Sequence, residues 1–130
     1  MVGIVLISHS AARAQGAAEL VGQIADGVRV VPVGGTDDGR LGTSAEAIAK
    51  AIATADQGDG ALLIADLGSS VLTAKSLLAD LDDDPEAGEA VLVDAPFVEG
   101  AVAAAVVAGT GADLAAVVAA ATEARDVRKF

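Results

Sequence analysis

The chain has 130 residues, enough for one domain with a sizeable core. It is rich in small aliphatic side chains, with two Phe and no Trp or Tyr; the absence of Cys excludes disulfides and thiolate chemistry. The formal net charge of −11 repels phosphate backbones, which argues against nucleic-acid binding and favours basic partner surfaces or a high-salt setting.

In chain order, Val2–Ile7 is a continuous β-branched apolar run, the pattern of a strand covered on both faces. It ends on Ser8-His9-Ser10, and His9 is the only histidine. Ala11–Ala25 carries Ala14, Ala18, Val21 and Ala25 at helical spacing. Val28–Val33 is a second strand, placed at a sheet edge by Pro32, which cannot donate to a ladder. Gly34–Gly42 is a Gly- and Asp-rich loop, and Thr43-Ser44-Ala45-Glu46 has the spacing of a capping box opening a helix to about Ala55. Ala61–Leu67 is a third buried strand, followed by a helix over Ser69–Leu81 that Asp82-Asp83-Asp84-Pro85 stops. Ala90–Val93 is the fourth strand, and Pro96–Ala108 and Asp113–Val127 are the last helices.

Ala101–Ala121 is long enough to span a bilayer, but Gly109-Thr110-Gly111 and Asp113 interrupt it. Two Ala-rich helices joined by a tight turn are expected there, with no membrane insertion. The start of the chain lacks a basic n-region, so no signal peptide and a cytoplasmic location are expected. The acidic run Asp82–Asp84 reads as a solvated helix exit, because three consecutive carboxylates cannot all converge on one ion; no metal site is expected.

The alternation of strands and helices predicts an α/β fold. It is a three-layer sandwich with a mainly parallel four-stranded sheet and helices on both faces, formed by a single domain over residues 1–130. Ligands of such sheets bind beyond the carboxyl ends of the strands. Strand one brings Ser8-His9-Ser10 to that edge, strand three brings Asp66-Leu67-Gly68-Ser69-Ser70, and the loop after strand two brings Gly42-Thr43. First and third strands are commonly neighbours, which lets Asp66 reach the His9 ring. A carboxylate on Nδ1 fixes the tautomer and leaves Nε2 free and facing solvent as a nucleophile, while Gly, Ser and Thr at helix starts offer N–H groups to an anion. These are the parts of a phosphohistidine site. The blander alternatives are an incidental histidine, an Asp66 that merely caps the next helix, and an ordinary strand-to-helix turn at Gly68-Ser69-Ser70.

Other chemistries lack their residues. There is no Gly-x-x-x-x-Gly-Lys loop, no Gly-x-Gly-x-x-Gly after the first strand and no Gly-x-Ser-x-Gly elbow. One His without Cys is too little for zinc. Two-component receiver domains put a phosphorylated Asp where Asp66 stands, but they need acidic residues after strand one, where this chain has Ser8-His9.

Four segments carry a resemblance: VLISHS, GRLGTS, IADLGSS and APFVEGAVAAAVVAGTGADL. Together they resemble the phosphotransfer subunits of phosphoenolpyruvate-dependent dihydroxyacetone kinases, which are similar to the mannose-class IIA domain of the sugar phosphotransferase system. APFVEG with DLGSS favours the dihydroxyacetone branch over the sugar-uptake branch. The resemblance implies that His9 is the phosphorylated residue and that Asp66 pairs with its ring. Ser10, Gly42, Thr43, Gly68 and Ser69 would line the phosphate site.

The same resemblance implies that the phosphocarrier HPr, charged through enzyme I, phosphorylates His9. The phosphoryl group then passes to ADP held by the DhaL subunit, with DhaK downstream binding dihydroxyacetone. No intrinsic cofactor is implied, since the ADP belongs to DhaL. Some relatives fuse HPr-like and enzyme I-like domains after this one; ending at Phe130, this chain is expected to draw on separate donors. A homodimer is implied as well. Two alternatives remain open: a mannose-class IIA component of sugar uptake, and a regulatory module whose phosphorylation state is itself the signal.

Overall fold

The computed structural model describes residues 1–36 and 42–130. Four strands, β1 (Gly3–Ser8), β2 (Val30–Gly34), β3 (Ala61–Ala65) and β4 (Ala90–Leu92), form one sheet in the order β2-β1-β3-β4. Every neighbouring pair is parallel, with Ile4 beside both Val30 and Leu62. The helices are α1 (Ala11–Ile24), α2 (Ala45–Ala55), α3 (Gly68–Leu81), α4 (Phe97–Ala108) and α5 (Leu114–Glu123), with a 3₁₀ turn at Ala124–Asp126. No helix among the described residues is long and apolar enough to cross a membrane.

The period-2 pleat divides the core in two. Ile4, Leu6, Leu62 and Ile64 face α1, α4 and α5, whereas Val5, Ile7 and Leu63 face α2 and α3. All seven are fully buried, and each contributes about 1.5–3 kcal/mol of hydrophobic stabilisation. The first core is finished by alanines: Ala101, Ala104, Ala105 and Ala108 of α4 and Ala121 of α5 are fully buried, so the helices sit close on the sheet. The expected three-layer α/β sandwich is thus formed, and Pro32 lies on an edge strand, opposite Leu6.

Several boundaries differ from the expected ones. The third strand ends at Ala65 instead of Leu67: Asp66 still donates its N–H to the Ile7 carbonyl, but the chain then turns outward and leaves Leu67 half exposed. Helix α3 accordingly begins at Gly68. The final helix stops at Glu123 and tightens into the 3₁₀ turn.

The capping box at Thr43 does not form. The N-cap of α2 is Ser44, whose hydroxyl accepts from the Ala47 N–H, and Ala47 has no side chain to reach back. Glu46 instead pairs with Lys50 on the exposed face. In the loop expected over Gly34–Gly42, and in GRLGTS, positions 37–41 lie outside the described residues.

Close contact fixes the end of β2 against the turn that follows β1. A Cβ on Gly34 would stand 2.6 Å from the Ser10 carbonyl oxygen and 2.7 Å from the Ala11 Cα. Only glycine permits that approach, and the turn it supports carries His9.

Candidate phosphoryl-transfer site

Strands β1 and β3 lie side by side in mid-sheet, so their carboxyl ends deliver Ser8-His9 and Asp66 to one point. His9 continues the odd-numbered face of β1, the face on which α2 and α3 pack. There it meets the first turn of α3, and its backbone carbonyl accepts from Gly42, two residues before the cap of α2.

Asp66 is the centre of the arrangement. Its side chain is only 4% exposed, so its charge needs partners. The Ser8 hydroxyl donates to Oδ2 at 2.6 Å, and Ser8 Oγ in turn accepts the Ser10 N–H at 3.0 Å. Oδ1 lies 3.4 Å from His9 Nδ1 and 3.4 Å from the Ser70 hydroxyl. The Arg13 guanidinium stands 3.6 Å from Oδ2. Burial works to raise the Asp66 carboxyl, but the hydrogen bonds from Ser8, His9 and the Leu67 N–H, with the charge of the His9 ring, outweigh it and hold the carboxyl below its ordinary value. Asp66 is therefore a fixed anion beside the imidazole.

The ring makes contacts at both nitrogens. Nδ1 lies 3.0 Å from Ser70 Oγ, closer than to Asp66, and Ser70 Oγ is 3.0 Å from Thr43 Oγ1. Nε2 meets the hydroxyl of Ser69, an exposed residue, so it does not face open solvent as expected. Ser69 stands in the first turn of α3, which begins at Gly68. The expected pairing of Asp66 with the Nδ1 side is present, but a second hydroxyl shares it.

The remaining residues expected at the site divide. Gly42 donates its N–H to the His9 carbonyl at 3.0 Å, and its φ of +147° lies where glycine is favoured. Thr43 reaches the ring through Ser70, which its release from helix capping allows. Ser10 belongs to the site by its backbone; its hydroxyl is taken as the N-cap of α1, accepting from the Arg13 N–H. Gly68 opens α3 with nothing crowding its α-carbon, so no steric demand there selects glycine. Asp66 does not act as the side-chain cap of α3: the N-cap is Leu67, which makes no such bond.

The sequence places Ser8 and Ser70 at this edge without giving them a role, and nothing in it points to Arg13. Ser8 and Ser70 are fully buried, a property visible only once the strands are paired and α3 is docked. Arg13 lies in the first turn of α1, and its reach to Asp66 depends on how that helix leaves β1. No cluster of His, Cys, Asp and Glu among the described residues could hold a metal ion.

Comparisons with known proteins identify the family. Residues 3–118 match the EIIA-man family, described as the PTS system fructose IIA component. A Listeria innocua protein named PEP-dependent dihydroxyacetone kinase 2, phosphoryl donor subunit DhaM, is 41% identical over 107 residues, 82% of this chain and 85% of that protein. An Escherichia coli protein named as the corresponding DhaM subunit is 37% identical over 119 residues; the match takes in 88% of this chain but only 25% of that longer protein. Among solved structures, a protein of unknown function called EF1359 superposes with a TM-score of 0.82 at 36% identity, over 95% of both chains. The chain is a member of the EIIA-man family of phosphotransferase-system IIA components.

Proposed function

We propose that the chain is the phosphohistidine carrier of a phosphoenolpyruvate-dependent dihydroxyacetone kinase. It takes a phosphoryl group from HPr onto His9 Nε2 and passes it to ADP bound on DhaL, with DhaK presenting dihydroxyacetone. The observation that carries this reading is the buried, ionised Asp66 on the Nδ1 side of the one imidazole, at the carboxyl edge of a parallel sheet. Relatives named as phosphoryl donor subunits support it.

In the first step the Nε2 lone pair attacks phosphorus while the bond from phosphorus to the donor breaks. The ring then bears positive charge, with the Nδ1 proton facing Asp66 and Ser70. In the second step an oxygen of the ADP β-phosphate attacks, the Nε2–P bond breaks, and its electron pair returns to a neutral imidazole. Asp66 keeps the proton on Nδ1 through both steps, so that the leaving group is never an imidazolate. The chain would work in the cytoplasm, as a homodimer, with no nucleotide of its own; ADP stays with DhaL.

A second reading, sugar uptake, draws on the family description as a fructose IIA component. One assay separates the two. Incubated with phosphoenolpyruvate, enzyme I and HPr, the protein should gain one acid-labile phosphoryl group that His9→Ala cannot accept. The phosphorylated protein should then restore kinase activity to DhaK plus DhaL. Transfer to a mannose-class IIB domain with none to DhaL assigns it to sugar uptake; a stable phosphoprotein that transfers to neither is a regulatory module.

A further inference from the structure

We infer that Ser70 is the residue that places the proton on His9 Nδ1, and that Asp66 acts on the ring largely through the Ser70 hydroxyl. The inference rests on the reading of His9 as phosphoryl acceptor and adds a positioning residue to it.

A hydroxyl has one proton to donate and room to accept two. Ser70 Oγ, on a fully buried residue, has three polar neighbours: His9 Nδ1 at 3.0 Å, Thr43 Oγ1 at 3.0 Å and Asp66 Oδ1 at 3.4 Å. The ionised Asp66 can only accept. Its Oδ2 takes the Ser8 proton, and the side-chain donors that face Oδ1, beside the Leu67 N–H on the carboxylate, are the ring and Ser70. The assignment that follows the shorter contact of the ring, 3.0 Å to Ser70 against 3.4 Å to Oδ1, is this one. Ser70 donates to Asp66 Oδ1, and it accepts from the Thr43 hydroxyl and from His9 Nδ1–H.

The reverse assignment, with Ser70 donating to a bare Nδ1, withdraws both the ring and the Ser70 proton from the Oδ1 of a carboxylate that is 4% exposed. The proton therefore lies on Nδ1. Thr43 fixes the Ser70 rotor, and the loop before α2 is thereby tied to the tautomer of the ring.

The test uses the intact protein and ¹⁵N NMR of the His9 ring. In wild type without partners, the Nδ1–H tautomer should dominate the signal of the neutral ring. Ser70→Ala keeps the buried volume; it should let the Nε2–H form rise and should slow phosphoryl acceptance from HPr by about ten- to a hundred-fold. Thr43→Val should shift both readouts in the same direction by less. Dominance of Nε2–H in wild type overturns the inference. So does a folded Ser70→Ala protein with the wild-type tautomer ratio and wild-type transfer rate. Should wild-type His9 take no phosphoryl group at all, the proposed function fails, while the tautomer measurement still decides the role of Ser70.

Discussion

Two aspartates follow parallel strands at the same edge of the sheet, and they have opposite surroundings. Asp66 leaves β3, between β1 and β4, and its side chain is 4% exposed against Ser8, His9, Ser70 and Arg13. Asp94 leaves β4, the three-residue strand at the sheet's margin; its side chain is 99% exposed and meets Arg125 at 3.6 Å. The residue type and the place beyond a strand's carboxyl end are shared, so neither makes a site. The neighbours make it: the exit of β3 converges with the exit of β1 and with the first turn of α3, while the exit of β4 runs outward into α4 over Pro96.

Substitution should separate the two most strongly. Asp66→Ala should slow phosphoryl transfer to His9 by about ten- to a thousand-fold in a folded protein, since the carboxylate orients the acceptor and favours the charge it gains. Asp94→Ala should change the rate by less than about twofold and stability by less than about 1 kcal/mol, as expected for an exposed ion pair. Transfer kinetics beside melting curves check both. Equal losses at the two positions would break the contrast.

A smaller effect should appear in the pH dependence of stability. The Asp66 carboxyl is held below its ordinary value in the folded protein. Its ionised form therefore stabilises the fold fully above about pH 4, and that contribution fades as pH falls from there through the lowered folded value. Denaturant titrations of wild type and Asp66→Asn should differ most near neutrality, and the gap should narrow below about pH 4. A gap of constant size down to pH 3 would mean that the Asp66 charge contributes nothing.

The same contrast marks how far the sequence could be read. The continuous apolar runs at Val2–Ile7 and Ala61–Leu67 identify buried neighbouring strands, and Pro32 identifies an edge; pairing then brings His9 and Asp66 together. These are long-period signals, set by burial. The details of the site depend on single-residue phase. Thr43 and Ser44 are both capping types, Ser the better of the two, and a one-residue shift sends the Thr43 hydroxyl to Ser70 instead of the α2 backbone. Of the serines in Gly68-Ser69-Ser70, helical phase turns one outward over Nε2 and the other inward to Nδ1. No composition rule distinguishes them, because both hydroxyls gain their partners only after α3 docks on the sheet.

The central claim is that the His9 ring carries the phosphoryl group on Nε2 while Nδ1 keeps its proton. It is tested most directly by ¹H, ¹⁵N and ³¹P NMR of the protein phosphorylated through enzyme I and HPr. Coupling of phosphorus to His9 Nε2, with Nδ1 protonated, is the predicted result. Phosphorus on Nδ1, or a hydroxylamine-sensitive acyl phosphate on Asp66, would contradict it.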